Sequence, residues 1–209
     1  MLLKRTRSLQ RLALISGLFF VISHGRAQST GGVGIIAPGA GIGQVRVGEW
    51  LDDVHRAIGT PKLSDAAMGG KLLEVWRSGP AFEGRRQNGP EELQIYFRRG
   101  GADLSGPPTV RQIRVTSPFF RTLSGISVRS SFAQVSAEFN ISVDEELTDA
   151  LNGGRNEKEV EMFVDRPRGI AFEFKSGAAA EPDAVGYCRA IHVFQPNTNP
   201  RTIRNFEQD

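Results

Sequence analysis

From Val47 to Pro61 the chain reads VGEWLDDVHRAIGTP, and Leu51, Val54 and Ile58 fall at i, i+3 and i+7, one face of a helix. Asp52 and Asp53 sit in the first turn, where negative charge suits the helix dipole. Gly59 can take a left-handed C-terminal position, and Pro61 prevents continuation. A second stretch, SVRSSFAQVSAEFN (127–140), carries the same pattern 81 residues later. Phe132, Val135 and Phe139 form its apolar face, and Asn140 stands where Gly59 stood, as the next-best left-handed cap.

Each helix is followed by segments that alternate with a period of two, the mark of strands with one buried face. KLLEVWRS (71–78) matches KEVEMFVD (158–165), LQIYFRRGG (93–101) matches IAFEFKSG (170–177), and VRQIRV (110–115) matches CRAIHV (188–193). Turn-rich stretches such as GRRQNGP and DRPRG separate them. Short extended segments, 45–47 and 126–128, lead into the helices. The alternation assigns Leu73, Val75, Leu93, Ile95, Phe97, Ile113 and Val115 to the helix side. In the second copy the equivalents are Val160, Met162, Val164, Ile170, Phe172, Phe174, Ile191 and Val193. The expected fold is therefore α+β: a tandem duplication of a helix plus three-stranded antiparallel sheet unit, with the helices on one face of the sheet. The halves are expected to pack side by side, with Phe119 and Phe120 of the link TSPFFRT (116–122) at their junction.

Gly48, Val54, Ile58, Gly59, Thr60 and Pro61, followed by a strand bearing Trp76, resemble the SmpA/OmlA (BamE) family of small outer-membrane assembly lipoproteins. Two such units in tandem also resemble the β-lactamase inhibitor protein fold. The resemblance implies an envelope-assembly or inhibitory role, with departures. Trp50 occupies the family's Ser/Thr helix-cap position in the first copy, whereas Ser131 keeps it in the second. The family's anchoring Cys is absent, and so are the inhibitor protein's disulfides.

The N-terminus changes the charge picture. Lys4, Arg5, Arg7 and Arg11 precede an apolar run, Leu12 to Ile22, and Gly25-Arg26-Ala27 supplies a small-residue cleavage site, the order of a secretory signal. The run is shorter than the ~20 residues that span a bilayer. Cleavage after Ala27 removes five basic and no acidic residues from totals of 26 and 23, leaving 21 against 23. A near-neutral mature chain argues against a nucleic-acid partner. The expected organisation is 1–27 signal peptide, 28–43 Gly-rich flexible leader, 44–116 first repeat, 117–199 second repeat and 200–209 polar tail. The mature protein is expected to be exported, periplasmic or extracellular, without a stable membrane anchor. The single cysteine, Cys188, forms no internal disulfide and is expected to be a half-buried strand thiol.

Candidate chemistry is sparse. His55 is expected on a solvated helix face, and Cys188 and His192, four residues apart on a strand, stand about 13 Å apart, beyond activation distance. The glycines of 29–43 lack the Lys-Ser/Thr of a phosphate loop, and DEELTD (144–149) lacks calcium-loop spacing and reads as solvated. No enzyme, cofactor or metal site is expected. What remains is the sheet face turned away from the helices, with Glu74, Gln94, Gln112, Glu161, Phe163, Asp165, Glu173, Cys188 and Ala190 assigned to it. Its proposed partner-binding residues are Trp76, Tyr96, Arg98, Arg114 and His192. The functional expectation is a non-catalytic exported module that binds a protein or cell-envelope component through this face. An envelope-assembly or structural factor, and a hydrolase with an unrecognised site, are the alternatives.

Overall fold

The computed structural model describes residues 34–66, 70–77, 91–100, 104–183 and 188–203; the expected signal peptide and the turn at 84–90 lie outside them. The elements run β1 (Ile36–Ala37), β2 (Gly41–Ile42), β3 (Val45–Arg46), α1 (Leu51–Ile58), β4 (Leu63–Asp65), β5 (Lys71–Trp76), β6 (Leu93–Arg99) and β7 (Pro108–Val115). There follow α2 (Phe132–Glu138), β8 (Ser142–Val143), α3 (Glu145–Leu151), β9 (Val160–Asp165), β10 (Ile170–Lys175) and β11 (Cys188–Phe194). β1–β3 form a small sheet, and the rest form one eight-stranded sheet in the order β4-β5-β6-β7-β11-β10-β9-β8, antiparallel throughout.

This architecture overturns the expected tandem of separate helix-plus-three-strand units. β7 and β11 hydrogen-bond directly, from Val115 opposite Ile191 to Gln112 opposite Phe194, so the sheet is continuous. Two edge strands, a three-stranded sheet and a third helix were not in the expected plan. The edges β4 and β8 are only 3 and 2 residues long, and short edges limit pairing with other chains.

Both expected helices form, but their ends differ. α1 ends at Gly59 with φ of 81°, the left-handed region that a side chain disfavours. α2 ends through an extended Phe139, and Asn140 donates its backbone N–H to the Asp165 carboxylate instead of capping in the left-handed region. Ser131 and Gln134 form a reciprocal capping box at the start of α2. Val54 and Val135 are fully buried at the centres of their helix faces.

The helices α1 and α2 and the small sheet share one core against one face of the large sheet. Leu93, Ile95, Phe97, Ile113 and Val115 meet Ile170, Phe172, Phe174, Ile191 and Val193 there, beneath Val54, Val135, Ile36, Ile42 and Val45. The described part of the expected flexible leader is therefore structured, because Ile36 and Ile42 bury their side chains in this core. Ile36 N–H donates to Arg121 O at 2.8 Å and Arg121 N–H donates to Gly34 O at 2.9 Å, bonds that tie the link 116–122, with its edge-to-face Phe119 and Phe120, to the small sheet.

The side assignments of β5 and β9 are reversed. Trp76 is opposite Leu93, Glu74 opposite Ile95 and Leu72 opposite Phe97, so these three face the helices, while Leu73 and Val75 face away. In β9, Phe163 is opposite Phe172 and Asp165 opposite Ile170, which turns Glu161, Phe163 and Asp165 to the helix side and Met162 and Val164 outward. Apolar residues occupy both phases of these strands, so alternation alone could not choose; an inward Glu argued for the wrong phase. The structure instead satisfies the inward carboxylates. Glu74 meets His55 of α1 at 2.6 Å and Ser64 of β4 at 3.3 Å, and Asp165 accepts from the backbone of Asn140 and Arg168.

Two bulges complete the picture. One lies between Tyr96 and Phe97 opposite Arg111, and the other between Glu173 and Phe174 opposite Arg189. The second changes the phase of β11, so Cys188 is opposite Phe174 on the helix side, not on the His192 side as alternation suggested.

Candidate interaction surface

The outer face of the sheet is built from four rungs. The first is Lys71–Arg98–Thr109, the second Leu73–Tyr96–Gln112–Phe194 and the third Val75–Gln94–Arg114–His192–Ala171–Val164. The fourth joins Ala190, Glu173 and Met162. At its β9 side this face is covered by α3, whose Leu147 and Leu151 pack on Met162, Val164, Ala171 and Phe194. The DEELTD stretch expected to be solvated is thus a helix. Asp144 caps it by accepting from Leu147 N–H at 3.0 Å, and Thr148 Oγ1 accepts from Met162 N–H at 3.0 Å.

The middle of the face is covered by the chain's C-terminal segment. After β11 the chain turns at 195–198 and returns, so Arg201 lies over Gln112. Arg201 N–H donates to Gln112 Oε1 at 2.7 Å, and Gln112 Nε2 donates to Arg201 O at 2.8 Å. The Arg201 guanidinium lies 5.5 Å from the Tyr96 ring centre, within cation–π range, and Pro200 and Ile203 are buried. The described start of the expected polar tail is therefore a packed strap.

Under this cover runs a buried polar band. Arg77 pairs with Glu92 at 2.8 Å, Gln94 donates to Glu92, and Arg114 donates to Gln94 at 3.1 Å. Arg114 grips Glu173 with two parallel bonds, Nε to Oε1 at 2.6 Å and Nη2 to Oε2 at 2.8 Å. His192 Nε2 meets Glu173 Oε1 at 2.7 Å, and its Nδ1 meets Gln112 Nε2 at 2.8 Å. Burial alone would raise the Glu173 carboxyl, but the adjacent Arg114 guanidinium outweighs it and holds the group far below the usual carboxylate range. Burial pushes His192 below its ordinary value despite the neighbouring carboxylate. Burial likewise pushes the Cys188 thiol up, with the Glu173 charge adding to the effect. The thiol is inert packing.

The five residues expected to form one exposed patch are thus separated. Trp76 faces the helices at 3% exposure; its indole N–H donates to Gly59 O at 3.2 Å at the end of α1, and His55 packs edge-on against it. Arg114 and His192 are buried within the band. Tyr96 lies under Arg201, its buried hydroxyl without a hydrogen-bond partner among the described residues. Only Arg98 is exposed.

The exposed aromatic of this face lies outside the alternating strands, at the start of α1. Trp50 forms an antiparallel bridge with Thr109, which extends the first rung to Lys71–Arg98–Thr109–Trp50 and brings Trp50 to the same face as Arg98. It is 58% exposed, and it occupies the N-cap of α1 without a side-chain cap bond. A Ser or Asp there would contribute about 1 kcal/mol of capping. The signal was present in the sequence as a Trp at a cap position. Lys71 and Arg98 beside it are exposed and have no ion pair among the described residues.

Among the described residues no helix is long and apolar enough to cross a membrane, and no cluster of three His, Cys, Asp or Glu has metal-site geometry. No family model matches the chain, and no curated protein matches it. Solved structures that do match include an extracellular protein containing an SCP domain from Bacillus anthracis, 7% identical, with a TM-score of 0.41 over 72% of this chain and 44% of that one. Another is a cysteine-rich secretory protein from Staphylococcus aureus, 10% identical, with a TM-score of 0.40 over 76% of this chain and 47% of that one. The chain spans less than half the length of either protein. The expected resemblance to the SmpA/OmlA family and to the β-lactamase inhibitor protein fold is corrected by the continuous eight-stranded sheet, with its added three-stranded sheet and third helix. The quoted motif is a helix start, an apolar face and a Gly-Thr-Pro stop, and those physical needs are shared by unrelated short helices.

Proposed function

We propose that this chain is an exported, non-catalytic interaction module that docks a protein or cell-envelope component on the rim of the sheet around Trp50, Arg98 and Lys71. The observation that carries the reading is the exposed Trp50 at a cap position that Ser, Thr or Asp fills at lower energy. A large aromatic on one rung with two cations that have no ion pair among the described residues is the composition of a binding hot spot, and the first rung contains no acid, which favours a partner with acidic groups. Export rests on the charged, apolar, small-residue order of residues 1–27.

The rival reading is a hydrolase, favoured by one contact. His55, part-exposed, places Nε2 at 2.6 Å from the buried Glu74 carboxylate, a pairing that orients an imidazole as an acid–base group.

Trp50→Ser separates these readings. The new hydroxyl, with Asp53 three residues on, supplies a capping pair, so the variant should gain about 0.5–1 kcal/mol in urea unfolding. Capture of the partner from an envelope extract should weaken by about 2 kcal/mol, roughly thirtyfold. A variant that binds like wild type, or one that loses stability, overturns the proposal. Loss of a hydrolytic activity in His55→Gln, with capture intact, would establish the rival.

A further inference from the structure

We infer that protonation of His192 unlatches the C-terminal strap, through an inversion of hydrogen-bond polarity at Gln112. Arg201 N–H can only donate, so it fixes Gln112 Oε1 on its side at 2.7 Å. The amide NH2 must then face Arg201 O and His192 Nδ1, both at 2.8 Å. His192 Nδ1 therefore accepts, and the single ring proton sits on Nε2, directed at Glu173 Oε1 at 2.7 Å. Every polarity in the row Arg201–Gln112–His192–Glu173 is set by its neighbour.

A second ring proton places an N–H on Nδ1 opposite the amide NH2, donor against donor. The amide can relieve this only by turning over. Its oxygen then faces Arg201 O and its NH2 faces Arg201 N–H, so both bonds between Gln112 and the strap are lost. Neither arrangement of Gln112 satisfies a charged imidazole and the strap together.

Among the described residues the groups facing His192 are few. Glu173 of β10 favours the charged ring, and Arg114 of β7 opposes it. Gln112 and the strap contribute neutral dipoles at the ring, the Arg201 guanidinium being directed over Tyr96. α3 turns Leu147 and Leu151 toward the sheet and keeps Glu145 and Asp149 on Lys158. Burial holds the ring neutral at neutral pH, so unlatching belongs to the acid side of the ordinary histidine range. The anchors that remain are the Arg201 guanidinium over Tyr96, the Asn199 side-chain carbonyl that accepts from Arg166, and the buried Pro200 and Ile203.

The test uses the full mature chain and NMR hydrogen exchange between pH 7.5 and 5.0, with a free peptide of residues 199–209 correcting the intrinsic rates. The Arg201 amide should lose on the order of tenfold or more of its protection as the His192 imidazole titrates, while amides of β7 and β11 keep theirs. Imidazole nitrogen shifts at pH 7.5 should show the proton on Nε2. In His192→Gln the protection should not change with pH, and in Gln112→Met it should be low throughout. The inference is overturned if the proton is on Nδ1, if Arg201 stays protected after the ring is charged, or if the ring stays neutral until the domain unfolds. Acid loss of protection in His192→Gln would overturn it too.

Discussion

Arg114→Met tests whether the buried band acts as a coupled unit. The substitution keeps the aliphatic bulk of the side chain and deletes the guanidinium, leaving Glu173 with His192 as its remaining side-chain partner among the described contacts. The two side chains are 4% and 5% exposed, so solvent cannot take the place of the lost partner. Removing one member of a buried pair of this kind costs about 3–5 kcal/mol. That is a large share of the ~5–15 kcal/mol by which a domain is stable. With a urea slope of about 2–3 kcal/mol/M, the midpoint should fall by roughly 1–2 M. Arg114→Met/Glu173→Met removes both charges and should cost less than Arg114→Met alone, because no lone charge stays buried. The assay is urea unfolding of all four members of the cycle, followed by fluorescence and circular dichroism. If Arg114→Met shifts stability by less than about 0.5 kcal/mol, or if the two single effects simply add, the band is not a desolvated coupled pair and the reasoning fails.

Three other outcomes follow from the same contacts. Val54→Ala and Val135→Ala should each cost about 1–3 kcal/mol, since both side chains are fully buried, while the exposed Asp52→Ala should stay within about 0.5 kcal/mol; matching midpoints for all three would refute the core assignment. Cys188 should react with a thiol reagent only as the protein unfolds, because burial raises its thiol, and rapid labelling of the native protein would contradict that placement. Stability should fall on acidification in two stages. His192, lowered in the folded state, contributes stability that is lost as pH drops below about 6.5, and Glu173, also lowered, contributes stability that is lost as pH drops below about 4.5. Urea midpoints measured from pH 7 to 3 should show the first stage and the onset of the second, and His192→Gln should lack the first; a midpoint that rises with acid would refute the signs.

The helices and the central strands were legible because their patterns had a single phase. In β6 and β10 the apolar residues occupy alternate positions, and Leu93, Ile95 and Phe97 are buried as alternation requires. β5 and β9 were misread because both of their phases carry apolar residues, and the deciding contacts are distant in sequence. Glu74 turns inward since His55, 19 residues away, reaches its carboxylate. Cys188 turned over because a bulge displaced the count by one, and no local residue announces a bulge of that kind. The covering of the outer face was missed for a similar reason. A seven-residue helix with Leu147 and Leu151 as its packed apolar residues shows little periodicity, and the strap's grip on Gln112 spans 89 residues.

Arg114, Glu173 and His192 resemble Trp50 in breaking a local rule, but they differ in where the compensation lies. Charges in the interior strands of a sheet contradict burial, yet each here has a partner inside the chain, and the bidentate Arg114–Glu173 bond closes the exception. Trp76, the other tryptophan, is also accounted for, with its indole N–H on Gly59 and its ring against His55. Trp50 has no such closure among the described residues. It forgoes a cap bond worth about 1 kcal/mol and leaves most of an indole in water, and its own rung adds two exposed cations. Replacement by Ser would repair the helix end with a residue the second helix already uses at Ser131. A rule broken without return among the described residues directs attention outside the fold, and that asymmetry between Trp50 and the buried band is the reason for proposing a contact on the rim of the sheet.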